Sequence, residues 1–419
     1  MGKMQCASLI LGSIFVCAIG TASGDDAGTP VELPRGKVII DVIGGWPKFL
    51  TLNDGTVLSL NGNSRRASSD GGLTWAKPEP VFDEDQRTGG VCSAIRLQSG
   101  EIGVVTSRVG GIPNVGHDAE NFREGWLHFH TSADEGQTWS EGFLINKFNN
   151  DGKPYEDNLI QTRSGRLVLP VRVGFRVNSA VHQTMGAYGL FLGERIKFAG
   201  HTTYPEMDVA FCFLSDDNGR NWYKSDGDVF GWLDGGRGGI YPCDEPAAIE
   251  LKDGRLMMLC RSTCGHILRS YSEDEGYRWS VPEPMGLASA YAPSMIRRIP
   301  STGDLVLVWN QASPDEISRG FQRNRLSLAI SQDEGQTWTH AKTLFHNNVP
   351  AVGLLEPPPP VWQRPQEWLG EMPESYATAD YPNIHFHEDN ILISYDHNPW
   401  HPPAGIWTLR ILPVAELYE

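Results

Sequence analysis

The chain has 419 residues, a formal net charge of −16 at pH 7 and 40% hydrophobic residues. This negative charge argues against binding to nucleic acid and to anionic membrane surfaces, because both would repel it. It leaves room for a small basic pocket, so an acidic ligand is compatible with the composition.

The N-terminus has the pattern of a secretory signal peptide over residues 1–24. Lys3 gives a positive start, residues 7–19 form an apolar run, and Ala22-Ser23-Gly24 supplies small residues for cleavage. The run is too short for a membrane-spanning helix. We therefore expect a mature chain, residues 25–419, that is secreted or periplasmic, monomeric and not inserted in a membrane.

Pairs of apolar segments, each joined by a short turn with glycine, recur along the mature chain. Turns such as Asn53-Asp54-Gly55 and Lys252-Asp253-Gly254 separate segments of strand length, which is the usual signature of a β-hairpin. The pairs occupy residues 49–60, 93–106, 158–171, 247–260, 293–309 and 383–395. Helix signals between them are almost absent.

A second repeat follows all but the last of these hairpins. Its later copies read Ser-x-Asp-x-Gly-x-x-Trp, and the first has Asp70 with Ser68 in the serine position. Glycine supplies the positive φ of a tight turn, and the aspartate can accept hydrogen bonds from backbone N–H groups inside it. The copies lie at residues 69–75, 132–139, 215–222, 272–279 and 331–338.

The two repeats together predict an all-β fold. A hairpin, a third strand, the aspartate turn and a fourth strand make a four-stranded unit, and six such units describe a six-bladed β-propeller with antiparallel blades. The last unit lacks the aspartate turn, so we expect residues 37–42 to supply its outer strand. Residues 25–419 then form a single propeller domain.

Blade topology predicts where a ligand would bind. The start of strand one, the end of strand two and the start of strand three share one face of the disc, and the aspartate turns lie on the other. Arginines gather on the first face, and a guanidinium grips a carboxylate through paired hydrogen bonds. They are Arg87, Arg108, Arg172, Arg261, Arg323 and Arg325. They indicate a pocket for an anionic ligand, although pairing with acidic residues between blades is the alternative.

The aspartate turns resemble the Asp-box repeats of secreted bacterial sialidases, and the likeness extends over nearly the whole mature chain. Residues 243–262 resemble the segment in which a glutamate is followed sixteen residues later by an arginine. Residues 324–338 resemble the segment with another arginine, and residues 380–395 the one with the nucleophilic tyrosine. The resemblance implies a glycoside hydrolase that needs no cofactor and no metal.

The resemblance also implies residue roles. Tyr381 would be the nucleophile, Glu245 the base that takes its proton, and Arg261 with Arg323 or Arg325 the clamp for the substrate carboxylate. A neutral tyrosine suits a sugar that carries its own carboxylate, because a carboxylate nucleophile would be repelled. The expected substrate is a glycan ending in sialic acid or another acidic sugar.

Two departures from the sialidase pattern leave alternatives open. Gly45-Trp46-Pro47-Lys48 stands where sialidases have Arg-Ile-Pro, and Arg66, Arg87 or Arg108 are candidate replacements for that arginine. The early loop at residues 61–67 has no acid, so Asp85 and Asp118 are the candidate proton donors. Insertions at residues 110–123 and 175–206 are expected to overhang the mouth.

Two other functions fit the same sequence. One is a non-catalytic propeller that binds glycans or a protein partner. The other is a hydrolase or lyase for a different acidic polysaccharide, using His117, His182 or His266 with a tyrosine. The cysteines beyond the signal peptide allow one or two disulfides with a thiol left over, and we expect Cys260 and Cys264 to be buried apolar residues instead of zinc ligands.

Overall fold

The structure is a computed structural model of the full chain, with the elements numbered here in chain order. It describes residues 36–40, 45–83, 89–110, 124–146, 154–155, 157–174, 188–191, 194–197, 208–233, 240–359, 373–399 and 406–419. Strand β1 comprises Lys37–Ile40. Blade one contains β2 (Lys48–Thr51), β3 (Val57–Asn61), β4 (Ser64–Ser68) and β5 (Glu79–Pro80). Blade two contains β6 (Gly90–Arg96), β7 (Ile102–Gly110), β8 (Glu124–Ser132) and β9 (Phe143–Leu144).

Blade three carries an extra hairpin between its middle strands. It begins with β10 (Ile160–Gln161) and β11 (Leu167–Gly174), and the extra hairpin is β12 (Tyr188–Phe191) and β13 (Glu194–Lys197). It ends with β14 (Asp208–Ser215) and β15 (Tyr223–Lys224). A second two-stranded ribbon follows, formed by β16 (Gly231–Trp232) and β17 (Ile240–Tyr241).

The remaining blades complete the disc. Blade four contains β18 (Asp244–Glu250), β19 (Leu256–Arg261), β20 (His266–Ser272) and β21 (Glu283–Ala288). Blade five contains β22 (Met295–Arg298), β23 (Leu305–Asn310), β24 (Arg325–Ser331) and β25 (Thr339–His346), with helix α1 (Pro314–Ser318) before β24. Blade six contains β26 (Ala377–His387), β27 (Asn390–Pro399) and β28 (Ile406–Pro413), and a 3-10 turn spans Val414–Tyr418.

The described residues form six four-stranded antiparallel sheets, which confirms the predicted six-bladed propeller. Strand β1 pairs with β28, with Lys37 opposite Ile411, and so completes blade six as expected. This pairing joins the first and last strands of the propeller in one sheet. The hydrophobic clusters lie between neighbouring blades; one of them unites Val306 and Leu328 of blade five with Ile391 of blade six.

The aspartate turns have one repeated hydrogen-bond pattern. In the first copy, Asp70 Oδ1 accepts from Thr74 N at 2.8 Å, and the indole Nε1 of Trp75 donates to the Gly72 carbonyl at 2.9 Å. Ser68 Oγ accepts from Gly72 N at 2.8 Å, so Ser68 takes the serine position as predicted. The hydrogen bonds from Thr74 lower the pKa of Asp70 to about 2. The turns are therefore scaffold.

The same turns also tie one blade to the next. Glu135, in the turn of blade two, accepts from Asn53 N of blade one at 2.9 Å and from Arg96 at 2.6 Å. Glu334, in the turn of blade five, accepts from Lys252 N of blade four at 2.7 Å and from Arg298 at 2.8 Å. These contacts place the aspartate turns at the same end of the disc as the turns between the first and second strands.

Among the cysteines of the described residues, Cys92 lies in β6, and Cys212, Cys243, Cys260 and Cys264 are free thiols. All but Cys92 lie in the core between blades three and four, which confirms the apolar role expected for Cys260 and Cys264. Within the described ranges, no helix is long and apolar enough to cross a membrane.

Candidate active site

The centre of the site is a direct contact between Tyr381 and Glu245, which lie 136 positions apart in the chain. The Tyr381 hydroxyl donates to Glu245 Oε1 at 3.2 Å. Tyr381 lies near the start of the first strand of blade six, and Glu245 at the start of the first strand of blade four. The geometry therefore joins a phenol and a carboxylate across the mouth of the disc.

Glu245 and Tyr381 are positioned by the same unusual backbone conformation. Glu245 and Tyr381 have φ values of 43° and 52°, a conformation that bulky residues rarely adopt. Each lies at a register irregularity of its first strand, and each is followed by a proline, which has no N–H for the ladder. Trp46 has the same features at the entrance to blade one: a φ of 47° and Pro47 after it.

Such strained positions persist only where the surrounding structure holds them, and they cluster at functional sites. The Trp46 ring lies 5.8 Å from the Tyr381 ring and 6.4 Å from the Trp407 ring, measured between centroids. Trp46 is 52% exposed, whereas Trp407 is buried. The three Xaa-Pro entrances thus place a tryptophan, a glutamate and a tyrosine at one mouth.

Arg261 binds the second carboxylate oxygen of Glu245. Its Nη1 donates to Glu245 Oε2 at 2.6 Å, and its guanidinium carbon lies 3.6 Å from the centre of the Tyr291 ring. Burial opposes the charge, but Glu245, Tyr291 and Asp244 keep the pKa of Arg261 well above its ordinary value. The Arg261 guanidinium therefore holds the Glu245 side chain in place next to Tyr381.

Asp244 supports this pair from below. It is fully buried, and its Oδ2 accepts from the Tyr291 hydroxyl at 3.1 Å. Arg172 Nε lies 3.0 Å from Asp244 Oδ1, and Arg172 Nη1 donates to Asp208 Oδ1 at 2.6 Å. Arg172 is thus a buried arginine paired with Asp208 and Asp244, and its role as a substrate contact stays a prediction.

Arg323 covers the other side of Tyr381. Its Nη1 donates to Asp380 Oδ2 at 2.5 Å, its Nη2 donates to the Tyr291 carbonyl at 3.1 Å, and its guanidinium carbon lies 5.5 Å from the Tyr381 ring centre. The Arg323 side chain retains 24% exposure, against 5% for Arg261. A ligand at the mouth can therefore reach Arg323 most easily.

Arg325 is paired with an acidic side chain of its own, and of the two alternatives for the clamp the more exposed Arg323 is the one that lies beside Tyr381. The Nη2 and Nη1 of Arg325 donate to the two carboxylate oxygens of Glu316, at 2.5 and 3.0 Å, and its side chain is 1% exposed. Its Nε donates to the Pro350 carbonyl at 2.9 Å. A capping box of Ser313 and Glu316 starts α1 and directs this glutamate inward, so Arg325 anchors the helix.

The electrostatics keep Tyr381 protonated. Burial and the Glu245 charge raise the pKa of its hydroxyl above the ordinary value, while Arg323 and Arg261 work in the opposite direction. A phenol with a raised pKa is a weak nucleophile until a base takes its proton. Glu245 is in hydrogen-bond contact with that proton, as such a base must be.

Several predicted residues lie outside the described part of the chain: Asp85, Asp118, Arg87, His117 and His182, with most of both insertions. Arg108 lies in β7, and Arg66 donates to the Ala76 carbonyl at 3.2 Å. His266 is buried, its Nε2 lies 2.8 Å from the Pro358 carbonyl, and burial lowers its pKa. The described residues contain no cluster of three or more His, Cys, Asp or Glu side chains suited to a metal ion.

Sequence reasoning missed the support that Asp208 gives to Arg172. The repeated Xaa-Pro at the entrance to blades one, four and six was a readable signal for Trp46, whereas no local pattern marks Asp208 as the partner of Arg172.

The BNR repeat-like domain family matches residues 112–393 of the chain. The protein belongs to this family. No curated protein sequence matches this chain. Among solved structures, a protein of unknown function from Dyadobacter fermentans is 14% identical over 92% of this chain and 98% of its own, with a TM-score of 0.56.

Two sialidases share the fold of this BNR repeat-like protein. The Trypanosoma rangeli sialidase, in complex with the inhibitor DANA, is 15% identical over 87% of this chain, with a TM-score of 0.52. The NanB sialidase of Streptococcus pneumoniae is 13% identical over 93% of this chain, with a TM-score of 0.53. The chain covers 54% of the first sialidase and 71% of the second.

Proposed function

We propose that this protein is a sialidase-type glycoside hydrolase that releases a terminal sialic acid or a related acidic sugar from glycans. The observation that carries the proposal is the contact of Tyr381 with Glu245, whose other oxygen is held by Arg261. The fold shared with two sialidases supports it. The protein is exported after removal of residues 1–24, and residues 25–419 act as one domain.

The proposed reaction uses the neutral phenol as nucleophile. The sugar carboxylate contacts Arg323 and Arg261, which sets the anomeric carbon above Tyr381. Glu245 takes the phenol proton as the tyrosine oxygen bonds to that carbon. The glycosidic bond breaks at the same time, and a carboxylic acid protonates the departing oxygen; Asp85 and Asp118 remain the candidates. Water, deprotonated by that group, then cleaves the tyrosyl–sugar bond, and Glu245 returns the proton to Tyr381.

The direct test replaces each partner without changing its shape. Glu245→Gln and Tyr381→Phe should each lower kcat/KM for an aryl sialoside or aryl glucuronide by about 10²–10⁴-fold. Tyr381→Phe should leave the melting temperature unchanged, whereas Glu245→Gln should lower it, because it removes the charge paired with buried Arg261. Glu250→Gln, at the far end of β18, and Tyr271→Phe, near an aspartate turn, are the matched controls and should keep full activity. Full turnover in either site variant would remove the proposed mechanism.

A second candidate is a glycan-binding propeller without catalysis. One observation favours it: Gly45 and Trp46 stand where the sialidase pattern has an arginine, so the clamp lacks one of its expected groups. Binding of an acidic glycan without any released sugar, measured by product analysis over long incubation, would establish this alternative.

A further inference from the structure

Two carboxyl groups lie directly opposite each other in blade six. Asp380, in β26, is the register partner of Asp396, in β27. Directly opposite side chains project from the same face of a sheet, with Cβ atoms about 4.5–5.5 Å apart, and like charges in this position are destabilising. Asp380 is 4% exposed and Asp396 is half-buried, so water screens their repulsion only in part.

Each of these carboxyl groups has a buried oxygen that lacks a hydrogen-bond donor. Asp380 Oδ2 accepts from Arg323, but Asp380 Oδ1 is buried and has no partner among the described residues. Within the same ranges, Asp396 Oδ1 is also buried and without a partner, while Asn398 donates to the Asp396 carboxyl group. A proton on one carboxyl would supply the donor that both oxygens need.

The charges around the pair favour such a proton. Burial, and the Asp380 charge with it, raise the pKa of Asp396 above its ordinary value, although the Asn398 hydrogen bond and the Arg323 charge oppose this shift. On the other side of Asp396, its register partner in β28 is Trp407, which carries no charge. One arginine cannot balance two carboxylates, so the pair retains one proton more readily than separate aspartates would.

The same pair contacts the arginine that a ligand reaches most easily. The Arg323 side chain is 24% exposed, and its guanidinium carbon lies 5.5 Å from the Tyr381 ring centre. With one proton between Asp380 and Asp396, these two groups and Arg323 together carry no net charge. Loss of that proton leaves one negative charge beside Arg323, which repels the carboxylate of an acidic sugar.

We propose that Asp380 and Asp396 share one proton beside Arg323, and that Arg323 binds the carboxylate of an acidic sugar only while this proton is present. Asp396 is a positioning residue that acts through Asp380: its O–H donates to the unpartnered Asp380 oxygen and leaves the other oxygen to Arg323. The inference rests on the acidic-sugar function proposed above and deepens it, because it makes binding depend on a protonated carboxyl pair.

Urea titration without sugar tests the shared proton. The folded Asp396 keeps its proton to a higher pH than the unfolded chain does, so its contribution to stability falls as pH rises above about 4. Asp396→Asn keeps the shape and removes the charge. It should therefore raise the urea midpoint at pH 7, with a smaller gain at pH 4.5. Asp389→Asn, an exposed aspartate in the turn between the same two strands, should leave the midpoint unchanged.

Binding of free acids tests the role of the proton in the site. The probes are N-acetylneuraminic acid and D-glucuronic acid, titrated by calorimetry at pH 5 and pH 8, where both stay ionised. The wild type should bind its preferred acid about tenfold or more weakly at pH 8 than at pH 5, because the pair has lost its proton. Asp396→Asn should lose less than about threefold over the same range, whereas Asp389→Asn should follow the wild type.

Three results would each overturn the carboxyl pair: a lower urea midpoint of Asp396→Asn at pH 7, an equal loss of affinity with pH in Asp396→Asn and wild type, or no binding of either acid at pH 5. The hydrolase mechanism is decided separately. If Tyr381→Phe keeps full turnover while Asp396→Asn removes the pH dependence of acid binding, the mechanism fails and the pair stands. If Tyr381→Phe loses turnover while Asp396→Asn changes neither stability nor the pH dependence, the pair fails and the mechanism stands.

Discussion

At the residue scale, the site depends on how carboxylates are distributed among cations. Asp244 serves Arg172 from one side and Tyr291 from the other, so one buried charge positions several members of the site. Arg261 and Arg323 each have a carboxylate of their own, so the cations on both sides of Tyr381 are held in place before any ligand binds.

Arg323 and Arg325 form a matched pair for mutation, because they are two positions apart and have different partners. Arg323→Met should lower kcat/KM for an acidic aryl glycoside by about tenfold or more, and it should also lower the free energy of unfolding because it leaves the buried Asp380 unpaired, whereas Arg325→Met should leave kcat/KM unchanged. Arg325→Met should lower the free energy of unfolding by about 3 kcal/mol, because it leaves Glu316 unpaired. Urea titration and initial rates measure both.

The reverse pattern, with loss of activity in Arg325→Met alone, would contradict these assignments. Glu316→Gln is the companion variant: it should also destabilise the fold, because it removes the charge that Arg325 needs.

At the element scale, two kinds of segment have different functions: the Xaa-Pro pairs at the start of a blade's first strand, and the aspartate turns between its third and fourth strands. At the starts of blades one, four and six, Trp46, Glu245 and Tyr381 have φ values between 43° and 52°. These strained residues lie at the mouth of the disc. The aspartate turns at the opposite end carry glutamates that tie a blade to its neighbour. The residues of the candidate site and the glutamates that join neighbouring blades therefore lie at opposite ends of the strands.

Glu334 gives the sharpest test of this assembly role. Burial alone would raise its pKa, but Arg298 and Lys252 lower that pKa to about 2. Glu334→Gln should lower the free energy of unfolding by about 1–2 kcal/mol without changing kcat. Glu79→Gln, which breaks an exposed contact with Arg65 at 3.4 Å, should cost less than about 0.5 kcal/mol. Equal costs in denaturant titration would show that the blade contact adds nothing.

At the scale of the whole molecule, the closed ring makes stability sensitive to acid. Burial, with Arg297 and His387 nearby, lowers the pKa of His385 to about 3, and Thr51 Oγ1 lies 2.8 Å from its Nε2. In the unfolded chain this histidine takes up a proton near its ordinary pKa of about 6.5. The unfolded state therefore binds more protons between the two values, and stability falls as pH drops from about 6.5 toward 3.

This pH dependence is measurable by urea titration at pH 7, 5.5 and 4.5. The wild type should lose up to about 1 kcal/mol per pH unit in this range. His385→Gln should lose much less, because it has no group to protonate there. An identical slope in both proteins would assign the acid sensitivity to other groups, such as the carboxylates whose pKa is already low.

Much of the architecture was predictable because its signals are local. Glycine turns, alternating strands and the aspartate motif act over a few residues, so the blades, the closing strand β1 and the end of the disc that carries the aspartate turns could be read in advance. Glu245, Tyr381, Arg261 and Arg323 came from a resemblance, and the structure brings them together. The ion-pair partners of Arg172 and Arg325 could not be assigned, because nothing in the sequence distinguishes Asp208 and Glu316, which are held against these arginines, from acids at the surface.

The sequence by itself determined the number of blades and their register, since these follow from short-range patterns repeated along the chain. Only the tertiary structure decided which cations are already paired. Ion pairs and buried charges depend on side chains from different blades, such as Tyr381 with Glu245, that are far apart in the chain.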